Sequence, residues 1–148
     1  MIEVVNETQI RVPKAHLNKL WELLQKELKK QGLLPTHFKR TLTLVFLNPT
    51  KAKTLNLRYR KKDYATDVLS FESSDPDSLG ELVLCPLVLI KQAKEHDLSY
   101  QNELAYMVIH GVLHLLGLDH ERSKEEEHRM MAIQDEIFLK FLKQNKMN

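Results

Sequence analysis

Residues 99–117 read as one long apolar helix, and this segment restricts most tightly what the chain can fold into. Ser99 is a residue type that caps helix N-termini, and Gly117 can adopt the left-handed conformation that ends a helix. A helix with so much apolar surface has to be covered by other elements. With 43% apolar residues in 148, the chain can bury one continuous core around it. These features predict a single domain over residues 1–148, with a short flexible C-terminal end.

The flanking sequence supplies the covering elements. Residues 2–6 read as a short strand. Pro13 suits the first turn of a helix in which Leu17, Leu20, Leu23, Leu24 and Leu28 recur at helical spacing as far as Gly32. Residues 41–47 alternate like a strand, and Asn48-Pro49 opens a helix to about Arg60. After a polar loop, residues 67–71 and 79–85 read as strands, and their short turn-rich connection makes them an antiparallel hairpin. Pro86 starts a helix to about Asp97. Ser123 with Glu126 forms a capping-box pattern for a last amphipathic helix through about Leu142. The expected fold is α+β, or α/β: a small mixed four-stranded sheet packed with about five helices. The pattern leaves the strand order open.

The long helix carries the chemistry. His110 and His114 are four residues apart, so their imidazoles project from one face and can converge on one ion. Beyond the Gly117 hinge, His120 can approach the same ion from a different direction. Three neutral imidazoles leave a fourth position open, which is the composition of a catalytic site. One zinc ion suits such a set, and nickel, copper and iron are also compatible with imidazole. A lone histidine in an apolar helix is ordinarily a core residue; three with this hinge form a metal-site pattern. His16, His37, His96 and His128 lack such spacing and read as surface or capping residues. The spacing His-x-x-x-His-x-x-Gly-x-x-His also occurs in metzincin proteases. Those enzymes need a glutamate beside the first histidine as general base, and here that position is Gly111.

Composition removes several classes. No apolar stretch approaches the roughly 18 residues of a membrane span, and no basic segment leads into an apolar run as in a secretory signal. Cys85 is the only cysteine, so intrachain disulfides are excluded and a cytoplasmic setting is expected. It sits in the run Leu82-Val83-Leu84-Cys85 and reads as a buried structural thiol. The net charge of +2 conceals an asymmetry: residues 1–62 hold 14 Lys and Arg against 4 Asp and Glu, residues 63–148 hold 8 against 16. A basic half of this kind is either a set of solvated faces or a surface for a polyanion such as RNA.

Residues 110–120 read His-Gly-Val-Leu-His-Leu-Leu-Gly-Leu-Asp-His, which resembles the signature of the YbeY-type endoribonucleases, or rRNA maturation factors, with Leu118 in place of tyrosine. Leu55-Asn56-Leu57-Arg58-Tyr59-Arg60 through Asp63, then Thr66-Asp67-Val68-Leu69-Ser70-Phe71, is a second similar block. Leu79-Gly80-Glu81-Leu82 is a third. The chain departs from the family pattern at Lys61, where glycine is usual, and at Ala65 and Glu72, where proline is usual. The resemblance implies a three-histidine metal centre with an arginine, here Arg60, beside it. It also implies cleavage of single-stranded RNA, maturation of the 3′ end of 16S ribosomal RNA and ribosome quality control. Its implied partners are small-subunit ribosomal proteins or assembly factors.

Roles follow for individual residues. The ion at His110, His114 and His120 would polarise a phosphoryl oxygen, activate water, or both. Arg60 would neutralise charge developing on the phosphate, and Asp119 would either accept the outward N–H of a ligating imidazole or hold a turn. Lys51, Lys53, Arg58, Lys61 and Lys62 are expected, with Arg60, to wall an RNA groove through phosphate contacts, with Tyr59 or Tyr64 as a stacking surface. Thr66 and Asp67 are expected to brace the loop after Arg60, and Glu81 to face solvent. Two other readings stand beside this one: a metallopeptidase-like or other metal hydrolase, and a non-catalytic ribosome-assembly protein with a structural metal.

Overall fold

Four runs of alternating side chains pair into one sheet in the computed structural model, which describes residues 1–119 and 121–146. The strands are β1 (Ile2–Asn6), β2 (Thr41–Phe46), β3 (Val68–Glu72) and β4 (Ser78–Leu84), in the order β1-β2-β4-β3. β1 is parallel to β2 and β2 to β4, while β3 lies antiparallel along the outer edge of β4. Parallel pairs need long crossovers, which α1 (Lys14–Lys30) supplies for β1 and β2. Between β2 and β4 the chain passes through α2 (Pro49–Arg60) and β3. Three helices follow: α3 (Pro86–Glu95), α4 (Tyr100–Leu115) and α5 (Lys124–Lys146). The expected mixed sheet, five helices and antiparallel hairpin are all present.

Strand alternation splits the apolar side chains between two faces. Leu42, Leu44, Phe46, Leu82 and Leu84 are fully buried in the main core, together with the leucines of α1, the apolar sides of α4 and Ile137 and Phe141 of α5. On the other face a smaller cluster of Leu47, Leu69 and Val83 packs with Leu55 of α2 and Phe71 of β3. The helix starts follow the sequence cues. Ser99 Oγ accepts the Asn102 N–H and Ser123 Oγ the Glu126 N–H, each at 3.1 Å. Asn48 occupies the N-cap of α2, with Pro49 as its first helical residue. α5 runs to Lys146, so the end expected beyond Leu142 as a flexible tail is helical to that point; residues 147–148 lie outside the described ones.

Of the histidines read as surface or capping residues, His16 departs from that reading, while His96 agrees with it, exposed at the end of α3. His16 is half-buried, its ring 4.8 Å from Phe141 and its Nε2 3.1 Å from the Gln101 carbonyl, to which it donates. Burial holds its pKa below the ordinary histidine range. His96 caps the end of α3, and its Nδ1 lies 2.7 Å from the carboxylate of Glu103, a fully buried residue of α4. That pair ties α3 to α4. Cys85 is buried as expected, and desolvation pushes its thiol pKa up. Among the described residues, no helix is long and apolar enough to cross a membrane.

Candidate active site

Tyr106, His110 and His114 recur every fourth residue along α4 and therefore share one stripe of its surface. That stripe lines a cleft of about 760 Å³, completed by residues 68–71 of β3, Tyr59 and Arg60 at the end of α2, and Gln134 of α5. The half-buried rings of His110 and His114 have centroids 4.8 Å apart and planes at 68°. Gly117, with φ +92°, ends the helix in the left-handed conformation anticipated for it. His120 lies outside the described residues, and Asp119 and Glu121 on either side of it both line the cleft. Among the described residues no group of three or more His, Cys, Asp and Glu side chains is gathered for an ion. What is described still fits one of the zinc or nickel class: two adjacent imidazoles on one helix face, one with its Nδ1 already engaged by Gln134.

Gly111 has a packing reason. A Cβ at this position would meet Leu82 Cδ2 at 2.7 Å, so the missing side chain lets α4 lie directly on β4. A general-base glutamate, which a metzincin-type protease would place there, would have to displace the buried Leu82 side chain.

Arg60 is exposed and lines the cleft as the last residue of α2. Lys61 ends the helix in a left-handed conformation, φ 56° and ψ 34°, at the position where the similar family carries glycine. The fully buried Asn56 donates from Nδ2 to the Tyr64 carbonyl at 2.8 Å and so ties the following loop back to α2. Thr66 and Asp67 brace that loop as expected: Asp67 Oδ1 accepts from Thr66 Oγ1 at 3.2 Å and from the Val68 N–H at 2.8 Å.

The basic residues separate. Arg60 alone of the expected set lines the cleft. Lys51 pairs with Glu7 and Lys53 with Asp63 at 3.5 Å, while the Arg58 guanidinium lies 5.5 Å over the Tyr59 ring. Lys61 and Lys62 follow Arg60 as exposed residues. Tyr59 and Tyr64 both line the cleft, with Tyr59 set edge-on to Phe71 at 5.2 Å. Asp119 makes the contacts of a turn residue, accepting the Glu121 N–H at 2.8 Å and approaching Arg122 Nε at 3.6 Å. Glu81 is exposed on β4.

Among the lining residues not anticipated as parts of the site, four are polar: Ser70, Tyr106, Glu121 and Gln134. Tyr106 was legible, one helical step before His110 on the same stripe. Gln134 carries no local signal, since only the packing of α5 on α4 brings it to the histidines. Burial, reinforced by the Asp135 carboxylate beside it, pushes the Tyr106 phenol up to about 12, so it remains a hydrogen-bond donor. A larger hollow of about 930 Å³ lies at the start of α1. Its single imidazole, His16, is engaged by a backbone carbonyl, and it holds none of the histidine pair.

The sequence matches the family model of the endoribonuclease YbeY over residues 3–142. The chain belongs to this family. The endoribonuclease YbeY of Bdellovibrio bacteriovorus is 52% identical over 141 residues, covering 95% of this chain and 94% of that protein. That of Mesoplasma florum is 34% identical over 158 aligned positions, covering 99% and 88%. A solution structure of a Thermotoga maritima protein matches with a TM-score of 0.68 at 29% identity, over 100% of this chain and 93% of that one. YbeY membership thus extends over β1 to α5, well beyond the histidine motif.

Proposed function

We propose that this chain is a metal-dependent endoribonuclease of ribosomal RNA processing, which cuts single strands in the cleft between α2, β3 and α4. The observation that carries the reading is the pair of half-buried imidazoles, His110 and His114, in the cleft that Arg60 also lines, in a chain of the YbeY family. His110, His114 and His120 would hold the ion, zinc or another divalent transition metal such as nickel. Bound there, the ion would supply Lewis acidity for a phosphoryl oxygen or an attacking hydroxyl.

The protein's own groups do the rest. The Arg60 guanidinium offers a planar fork to the charge that develops on the phosphate. Tyr59 and Tyr64 present aromatic faces to bases, and only an unpaired strand can splay its bases onto them. Lys61 and Lys62 draw the phosphate backbone toward that mouth of the cleft. This chemistry suits 16S rRNA 3′-end maturation and quality control of ribosomes in the cytoplasm, with small-subunit ribosomal proteins or assembly factors as partners. The packing of Gly111 on Leu82 leaves the peptidase reading without its base.

The test is metal content by elemental analysis together with cleavage of single-stranded RNA, for the wild type and His114→Ala. About one ion per chain and cleavage, both lost in the variant, is the expected result. An ion without cleavage of any RNA would shift the reading to an assembly protein, and chelation would then unfold the domain.

A further inference from the structure

A chain of polar side chains from α5 and α4 ends on His110. The Tyr106 hydroxyl lies 3.1 Å from Asp135 Oδ1, with the Gln134 side chain acting on the phenol as a donor does; Gln134 Oε1 lies 3.0 Å from His110 Nδ1. Gln134 is only 1% exposed, so water does not replace these bonds. The chemistry of each group settles the direction of the next bond. A carboxylate only accepts, so the Tyr106 O–H donates to Asp135. The Tyr106 oxygen is then an acceptor, and the Gln134 group that can donate to it is the amide NH₂. Gln134 therefore turns its carbonyl oxygen to the imidazole, and an acceptor there requires the proton on Nδ1.

We propose that Gln134, its amide oriented by Tyr106 and Asp135, is the positioning residue that holds His110 as the Nδ1–H tautomer and so puts the ring's lone pair on Nε2. The consequence for metal binding rests on the function proposed above; the tautomer itself does not. A ligating imidazole commonly gives its other N–H to a carboxylate or a carbonyl. Here the acceptor is a neutral amide, which suits a buried position: a glutamate would bring an ionised group into the α4–α5 interface and could not donate to Tyr106. The exposed Asp135 supplies the polarity from the surface, so no charge has to be buried to fix the ring.

The test uses the full-length chain. Long-range proton–nitrogen NMR spectra, recorded after chelator treatment at a pH where histidine is neutral, read the tautomer of His110. Competition with a chromophoric chelator reads zinc affinity. The wild type is expected to show Nδ1–H. Gln134→Met, similar in shape but without an acceptor, is expected to move His110 toward the Nε2–H form and to weaken zinc binding about ten- to a hundredfold. Gln134→Glu keeps an acceptor and should keep the wild-type tautomer. Asp135→Asn lies at the surface and folds even if Gln134→Met does not. Its amide can donate to Tyr106, so it should release the chain's polarity and give a mixture of tautomers. An Nε2–H tautomer in the wild type, or Nδ1–H unchanged in Asp135→Asn and in folded Gln134→Met, overturns the proposal. Nδ1–H in the wild type with no zinc affinity would instead leave the tautomer device standing and refute the metal reading.

Discussion

α4 and α2 each carry residues of the cleft, yet the fold holds them in opposite ways. α4 buries eight of its sixteen residues, among them Leu104, Val108 and Val112 in the main core, and it is bonded to α3 through Glu103 and to α5 through Tyr106 and His110. α2 buries two of twelve, Ala52 and Asn56, and meets the sheet through the small cluster around Leu55. The difference matches what the proposed function asks of the two helices. Metal ligands have to be kept within a fraction of an ångström by their surroundings. An arginine meeting a flexible polyanion needs charge and reach, and a solvent-exposed helix end provides both.

If that contrast holds, changes on α2 affect RNA chemistry and spare stability, while changes on α4 do the reverse unless they touch a histidine. The largest effect is expected from Arg60→Ala: RNA cleavage falls about 10²- to 10³-fold, with metal content and thermal midpoint unchanged. A large drop in melting temperature in this variant would break the contrast. Next is Gly111→Ala, whose methyl group meets Leu82; it should cost about 1–3 kcal/mol in denaturant unfolding, and also disturb metal content because His110 is adjacent. Unchanged stability would mean that α4 is less tightly seated than its burial says. A smaller effect is expected from Lys61→Glu with Lys62→Glu, which should lower affinity for single-stranded RNA and reduce the slope of log affinity against log salt by about one to two, with zinc affinity unchanged. The smallest is Lys61→Gly, which relieves the left-handed strain at the end of α2 and should raise stability by about 0.5–1 kcal/mol. A loss of stability there would show that the lysine side chain makes a compensating contact.

Much of this contrast is legible in the order of residues alone. Ser99 and Gly117 bound the apolar helix by residue type, and the four-residue step from His110 to His114 fixes a shared face, because helical geometry is local. The resemblance singles out Arg60, and the cleft indeed includes it. The same reasoning groups Lys51 and Lys53 with Arg60 because they are close in sequence. Lys51 is instead held by Glu7, from beyond the end of β1, and Lys53 by Asp63. Charge counting does not see partners that arrive from elsewhere in the chain.

By itself the sequence determined which segments are helices and strands, and that three histidines sit on either side of a glycine hinge. Each of these depends on periods of two or four residues or on the backbone preference of a single residue. Tertiary structure alone decided the order β1-β2-β4-β3, which puts β3 at the sheet edge beside α4, and the approach of Gln134 to His110 across 24 residues. Alternation makes a strand without naming its neighbour, and a buried glutamine's hydrogen-bond partner is not named until packing brings His110 to it.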